Sequence, residues 1–70
     1  MKFIPVESSM ILAVRYDEAH FDLEVIFRTG EKYRYMNVPR FVYDGLMNAA
    51  SQGQYMHKYV LGRYDYERIY

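Results

Sequence analysis

The chain has no cysteine and no tryptophan, only two prolines and four glycines, and no net charge. Without cysteine there is neither a disulfide staple nor a thiolate metal site, so stability has to come from packing alone. Nine Lys and Arg set against nine Asp and Glu leave no global field to draw the molecule to a polyanion, and only a local basic patch offers that route. No stretch approaches the roughly 18 apolar residues of a membrane span. Met1 to Val6 contains no uninterrupted apolar run of the secretory kind, so a cytoplasmic protein is expected. Glycine-rich phosphate loops and the H-E-x-x-H and G-x-S-x-G patterns are missing as well. These absences weigh against most enzyme classes.

What the chain does have is rings: nine Tyr and four Phe, 19% of its residues. A chain of 70 residues buries only about 60% of its unfolded surface, and core packing at this size yields roughly 3–5 kcal/mol. Large rings bury much area at low entropic cost, so core filling is the plainest role for the tyrosines. One domain over residues 1–70 is expected.

The first half alternates like a sheet. Met10 to Tyr16 is mostly apolar and leads into Asp17-Glu18-Ala19-His20, a strand and its loop. Phe21, Leu23, Val25 and Phe27 then alternate with polar residues, and after the Thr29-Gly30 turn signal Lys32 to Val38 alternates again. The pattern predicts a three-stranded antiparallel meander. A three-residue turn at Arg28-Thr29-Gly30, with Gly30 at positive φ, pairs Val25 with Tyr33 and Leu23 with Tyr35. A four-residue loop at Asp17–His20 pairs Tyr16 with Phe21, Val14 with Leu23 and Leu12 with Val25. One face then carries Leu12, Val14, Tyr16, Phe21, Leu23, Val25, Tyr33 and Tyr35. The other sets Arg15 opposite Asp22 and Arg34 opposite Glu24, a charge pairing that supports the register. A two-residue turn would put Lys32 and Arg34 on the apolar face.

The second half is helical. Pro39 suits a first helical turn, with Asn37 placed to cap it. Val42, Leu46, Ala49 and Gly53 form an apolar stripe with Phe41 and Gly45 beside it. These spacings predict a main helix over Pro39–Ala50 against one sheet face. Gly45 is assigned to close packing on the sheet and Gly53 to a left-handed cap. Gln54 to Leu61 predicts a short second helix with Met56, Tyr59 and Val60 inward, stopped by Gly62. Arg63 to Tyr70 is expected to be an extended tail with Tyr64, Tyr66 and Tyr70 on one side. The fold class is α+β.

Several pieces recur in a familiar order: Val6-Glu7-Ser8-Ser9, Tyr16-Asp17, Phe27-x-x-Gly30-x-x-Tyr33-x-Tyr35 and Val38-Pro39. Tyr43-x-x-Leu46, Ala49-x-Ser51-x-Gly53-x-Tyr55 and Arg63-Tyr64 follow. Over about residues 5 to 69 the chain resembles the KTSC domain, named for the C-terminus of some lysyl-tRNA synthetases and found also as small free-standing bacterial and phage proteins. Tyr33, Arg34 and Tyr35 match the family's Tyr-x-Tyr hallmark. The resemblance implies no activity, and it offers RNA as a partner only by the family's place beside a tRNA synthetase. Where the family pattern often continues Phe-Asn after Tyr55, this chain has Met56-His57.

Catalysis has few candidates. His20 lies near Asp17 and Glu18 but has no nucleophile beside it, and Ser8 and Ser9 precede a strand, where turn hydrogen bonding is their ordinary role. A noncatalytic module without metal or cofactor is expected. A base-stacking platform on Tyr33 and Tyr35, with Arg34 on phosphate, is opposed by the register, which turns the rings and Arg34 to opposite faces. The preferred RNA-binding segment is C-terminal: His57, Lys58, Arg63, Tyr64, Tyr66 and Arg68 combine cations with rings. Asp65 and Glu67 offset part of that charge. A protein partner or homodimer is the alternative, since Tyr, Met and Arg suit interface cores and the tail could extend a sheet edge.

Overall fold

A computed structural model describes residues 2–70. The antiparallel sheet has five strands, two more than the meander predicted, in the order β1-β2-β3-β4-β5. These are β1 (Ile4–Pro5), β2 (Ile11–Asp17), β3 (Asp22–Phe27), β4 (Lys32–Tyr35) and β5 (Tyr66–Arg68). Helices α1 (Arg40–Asn48) and α2 (Gln52–Tyr59) lie between β4 and β5. The sheet grows at both edges: β1 pairs with β2, and the C-terminal tail pairs with β4.

The β3–β4 hairpin has the predicted register, Leu23 opposite Tyr35, Glu24 opposite Arg34 and Val25 opposite Tyr33. Gly30 takes φ +99° as its turn requires. The β2–β3 hairpin differs by two residues. Tyr16 faces Leu23 and Val14 faces Val25, and Asp17 opposite Asp22 closes a loop over residues 18–21. The Asp17 carboxylate fixes that loop by accepting from Ala19 N at 3.1 Å and contacting His20 Nδ1 at 2.8 Å. A two-residue slip keeps every side chain on its face, so the predicted alternation survives it. Phe21, however, falls in the loop at φ 58° and is exposed. Leu12 leaves the predicted core face for another reason: a bulge between Ile11 and Ala13 advances the strand by one residue. Ile11 is buried in its place and Leu12 is exposed.

The core lies between the sheet and the helices, around Ile11, Val14, Leu23, Val25, Val38, Leu46, Met56 and Val60. Tyr16 joins it with its ring stacked 5.1 Å from Tyr43 and its hydroxyl donating to Val38 O at 2.6 Å. Pro39 is the N-cap of α1 rather than its first residue, and Asn37 gives no cap but occupies left-handed space at φ 58°. Phe41 and Tyr59 are exposed, contrary to their predicted neighbourhood.

Two glycine assignments also change. Gly53 lies within the first turn of α2, whose N-cap Ser51 accepts from Gln54 N, so it does not end α1. Gly45 packs not on the sheet but against Tyr55 of α2. A Cβ there would stand 2.2 Å from the Tyr55 hydroxyl oxygen and 2.8 Å from Cζ, so the glycine sets how closely the helices approach.

Candidate functional site

Period-two geometry sends Tyr33 and Tyr35 to the helix side of the sheet and Arg34 to the open side. On the open side Arg34 meets the carboxylates of Glu24 at 3.4 Å and Glu67 at 2.6 Å. Glu24 is itself only 3% exposed. It is ringed by Arg15 at 2.9 Å, Arg34 and, more loosely, Lys32 at 3.9 Å. Phe3 lies against the same cations, with Lys32 Nζ 4.7 Å and the Arg15 guanidinium 5.5 Å from its ring centroid. The Glu24 carboxylate is thus held by three basic side chains. This face is a neutralised network.

On the helix side the rings gather. Tyr33 and Tyr35 stack with centroids 6.2 Å apart, and Tyr66 of β5 leans on both, at 5.5 Å and 5.8 Å. Phe27 meets Tyr33 edge-on at 5.7 Å. Pairing in β4–β5 explains the grouping, because Tyr66 stands opposite Tyr35 and Arg68 opposite Tyr33. Tyr35 is buried, and that burial, reinforced by Tyr33 and Tyr66, pushes its phenol up to about 12. Tyr66 remains 58% exposed.

These rings line a cleft of about 460 Å³ together with Met10 and Leu61-Gly62 of the turn after α2. Its lining also includes Ser9, Arg28, Thr29 and Glu31. Glu31 accepts from the Thr29 hydroxyl at 2.6 Å, Arg28 Nε donates to Ser8 O, and Arg68 approaches Glu31 at 3.9 Å. Gly62 at φ +76° turns the chain from α2 toward β5. Sequence reasoning named Tyr33, Tyr35 and Tyr66 but set the first two against the helix. No residue of α1 or α2 lines the cleft.

The C-terminal candidates therefore divide. Tyr66 and Arg68 join the cleft side of the sheet, and Tyr64 is half-buried against the core. His57 and Lys58 are exposed on α2, Lys58 lying 5.3 Å from the Tyr59 ring. Arg63 is exposed and tied back by its Nε donating to Lys58 O at 2.8 Å. Phe27, Arg28 and Glu31 were not singled out beforehand as site residues. Their signal was the hairpin register, which puts Phe27 on the Tyr33 face.

His20 and Asp17 form an exposed pair in which the Asp17 hydrogen bond raises the imidazole and lowers the carboxyl. Among the described residues no group of three or more His, Cys, Asp or Glu is placed to hold a metal ion, and no helix is long and apolar enough to cross a membrane.

The KTSC domain family model matches residues 7–64. A lysine--tRNA ligase of Nostoc sp. is 41% identical over 63 residues, which cover 90% of this chain and 11% of the ligase. The chain thus spans about a tenth of the ligases it matches. A protein of Stutzerimonas stutzeri is 36% identical over 99% of both chains. Among solved structures, the crystal structure of a KTSC domain protein from Yersinia pestis superposes with a TM-score of 0.96 at 32% identity, covering 99% of this chain and 97% of that one. The order of strands and helices, the Tyr33-x-Tyr35 hairpin and these matches agree, and the chain belongs to the KTSC domain family.

Proposed function

We propose that this domain is a noncatalytic module that binds RNA, tRNA or a single strand, through the side of the molecule where β5 closes the sheet. The observation that carries this reading is the convergence of Tyr33, Tyr35, Tyr66 and Phe27 on one cleft with Arg28 in its lining and Arg68 beside Glu31. Stacking rings flanked by cations are what single-stranded nucleic acid requires. His57, Lys58 and Arg63 extend the basic surface from the neighbouring helix and turn. The similarity to a segment of lysine--tRNA ligases supports an RNA context.

The test is a salt titration of binding to tRNA and to a single-stranded RNA. Affinity should fall steeply with salt, with a log–log slope of about 0.7 per phosphate contacted on a single strand. Lys58→Ala with Arg63→Ala should weaken binding and flatten that slope by about 1.4. No binding at low salt removes the RNA reading.

A protein partner is the second reading, favoured by the outer edge of β5, whose three residues are all exposed next to exposed Ile69 and Tyr70. An open edge can take another strand. A solution mass of two chains would favour it in homodimeric form, and a monomeric mass at high concentration would dismiss that form.

A further inference from the structure

We infer that the cleft walled by Tyr33, Tyr66 and Leu61 receives a single unstacked nucleobase. The inference rests on the RNA reading and names what this cleft would hold.

Size comes first. A volume of about 460 Å³ lies within the range of small-ligand sites, roughly 300–1,000 Å³, and admits one nucleoside rather than a helix or a folded surface. Geometry then fixes how a ring would enter. Inserting an aromatic plane between two others needs about 7 Å, twice the optimal carbon–carbon contact of about 3.5 Å. The tyrosine centroids are 5.5 to 6.2 Å apart, so no pair opens to take a guest. The guest lies over the cluster instead, stacked on the tyrosines and bordered by Met10 and Leu61-Gly62. Tyr66, the most exposed ring of the cluster, offers it the largest free face.

Chemistry separates a base from a phenyl ring. The lining supplies the Glu31 carboxylate as acceptor, the Arg28 guanidinium as donor, and the hydroxyls of Ser9 and Thr29. Glu31 and Arg28 already bond the Thr29 hydroxyl and Ser8 O, and a heteroaromatic edge with N–H and carbonyl groups can use their remaining acceptor and donor positions, which a hydrocarbon ring cannot. Arg68, 3.9 Å from Glu31, gives the attached phosphate a cation just outside. Glu31 also keeps the cleft from being uniformly basic, so a bare anion is the poorer guest.

The experiment is a protein NMR titration with the four ribonucleoside 5′-monophosphates and, separately, ribose 5-phosphate. At least one nucleotide should shift the amides of Tyr33, Leu61, Gly62 and Tyr66, while ribose 5-phosphate leaves them in place. Tyr66→Ala should weaken that nucleotide's binding roughly 5- to 100-fold, the usual worth of one base–aromatic stack. Should Tyr66→Ala not fold, the map of shifted amides on the unaltered protein decides alone. Equal shifts from ribose 5-phosphate, or nucleotide shifts confined to α2, overturn the base subsite. If tRNA binds in the salt titration while nucleotides bypass the cleft, the subsite fails and the RNA reading stands. If nucleotides fill the cleft and no RNA binds, the RNA reading fails and the subsite stands.

Discussion

Two tyrosine clusters share the covered face of the sheet and meet different fates. Tyr16 stacks on Tyr43 of α1 and donates its hydroxyl to Val38 O. Arg40 lies 5.7 Å from the Tyr43 ring and pairs with Asp44 at 3.0 Å and with Glu18. The Tyr16 hydroxyl and the Arg40 guanidinium of this first cluster are both paired, and a helix residue stacks on the Tyr16 ring. Tyr33, Tyr35 and Tyr66 stack on one another and line the cleft, Tyr35 buried in the core and Tyr66 largely exposed. Rings of the same kind are thus capped by a helix residue at one place and line a cleft at the other, where binding is proposed.

The contrast can be sharpened by pH. Tyr35 titrates near 12 when folded, against about 10 for a free phenol. Its folded-state pKa is raised, so its contribution is fully present below pH 10 and is lost as pH rises through 12. The loss totals roughly 2–3 kcal/mol. Urea unfolding at stepped alkaline pH should show this decline, and Tyr35→Phe should remove that part of it.

Breaking the closed cluster is the next largest effect. Tyr16→Phe removes a buried hydroxyl and leaves Val38 O without that donor, at a cost of about 2 kcal/mol, readable as a lower urea midpoint with an unchanged slope. A smaller effect is expected between the helices. Gly45→Ala gains about 1 kcal/mol of helix propensity but drives a methyl into Tyr55. Overpacking of that kind costs about 1–3 kcal/mol, so a net loss of about 1 kcal/mol is expected. In a Tyr55→Leu background the same substitution should stabilise.

Legibility in the sequence followed locality. The β3–β4 register was readable because Gly30 dictates the turn and the flanking residues alternate without interruption. The bulge in β2 was not, since Met10 to Val14 is unbroken in apolarity and a run of that kind carries no phase. Gly53 suggested a cap because glycine often ends helices, whereas Ser51 caps the next helix from its start. Of the expected extended tail Arg63–Tyr70, only Tyr66–Arg68 forms a strand while Arg63 belongs to the turn after α2, and which edge that strand joins depends on contacts distant in sequence. The cleft was hidden for the same reason. Tyr33 and Tyr35 marked one side, while its extent depends on where Leu61, Gly62 and Tyr66 come to rest. Division of labour between the faces was visible early, because the pairing of Glu24 with Arg34 followed directly from the turn.

The most direct test measures single-stranded RNA affinity and urea stability together for Tyr66→Ala and Tyr16→Phe. Removing the exposed ring of the open cluster should weaken RNA binding roughly 5- to 100-fold while leaving stability nearly unchanged. Removing the buried hydroxyl of the closed cluster should lower stability and leave the affinity of the folded protein intact. A folded Tyr66→Ala variant that binds RNA at full strength would contradict the assignment of the open cluster to recognition.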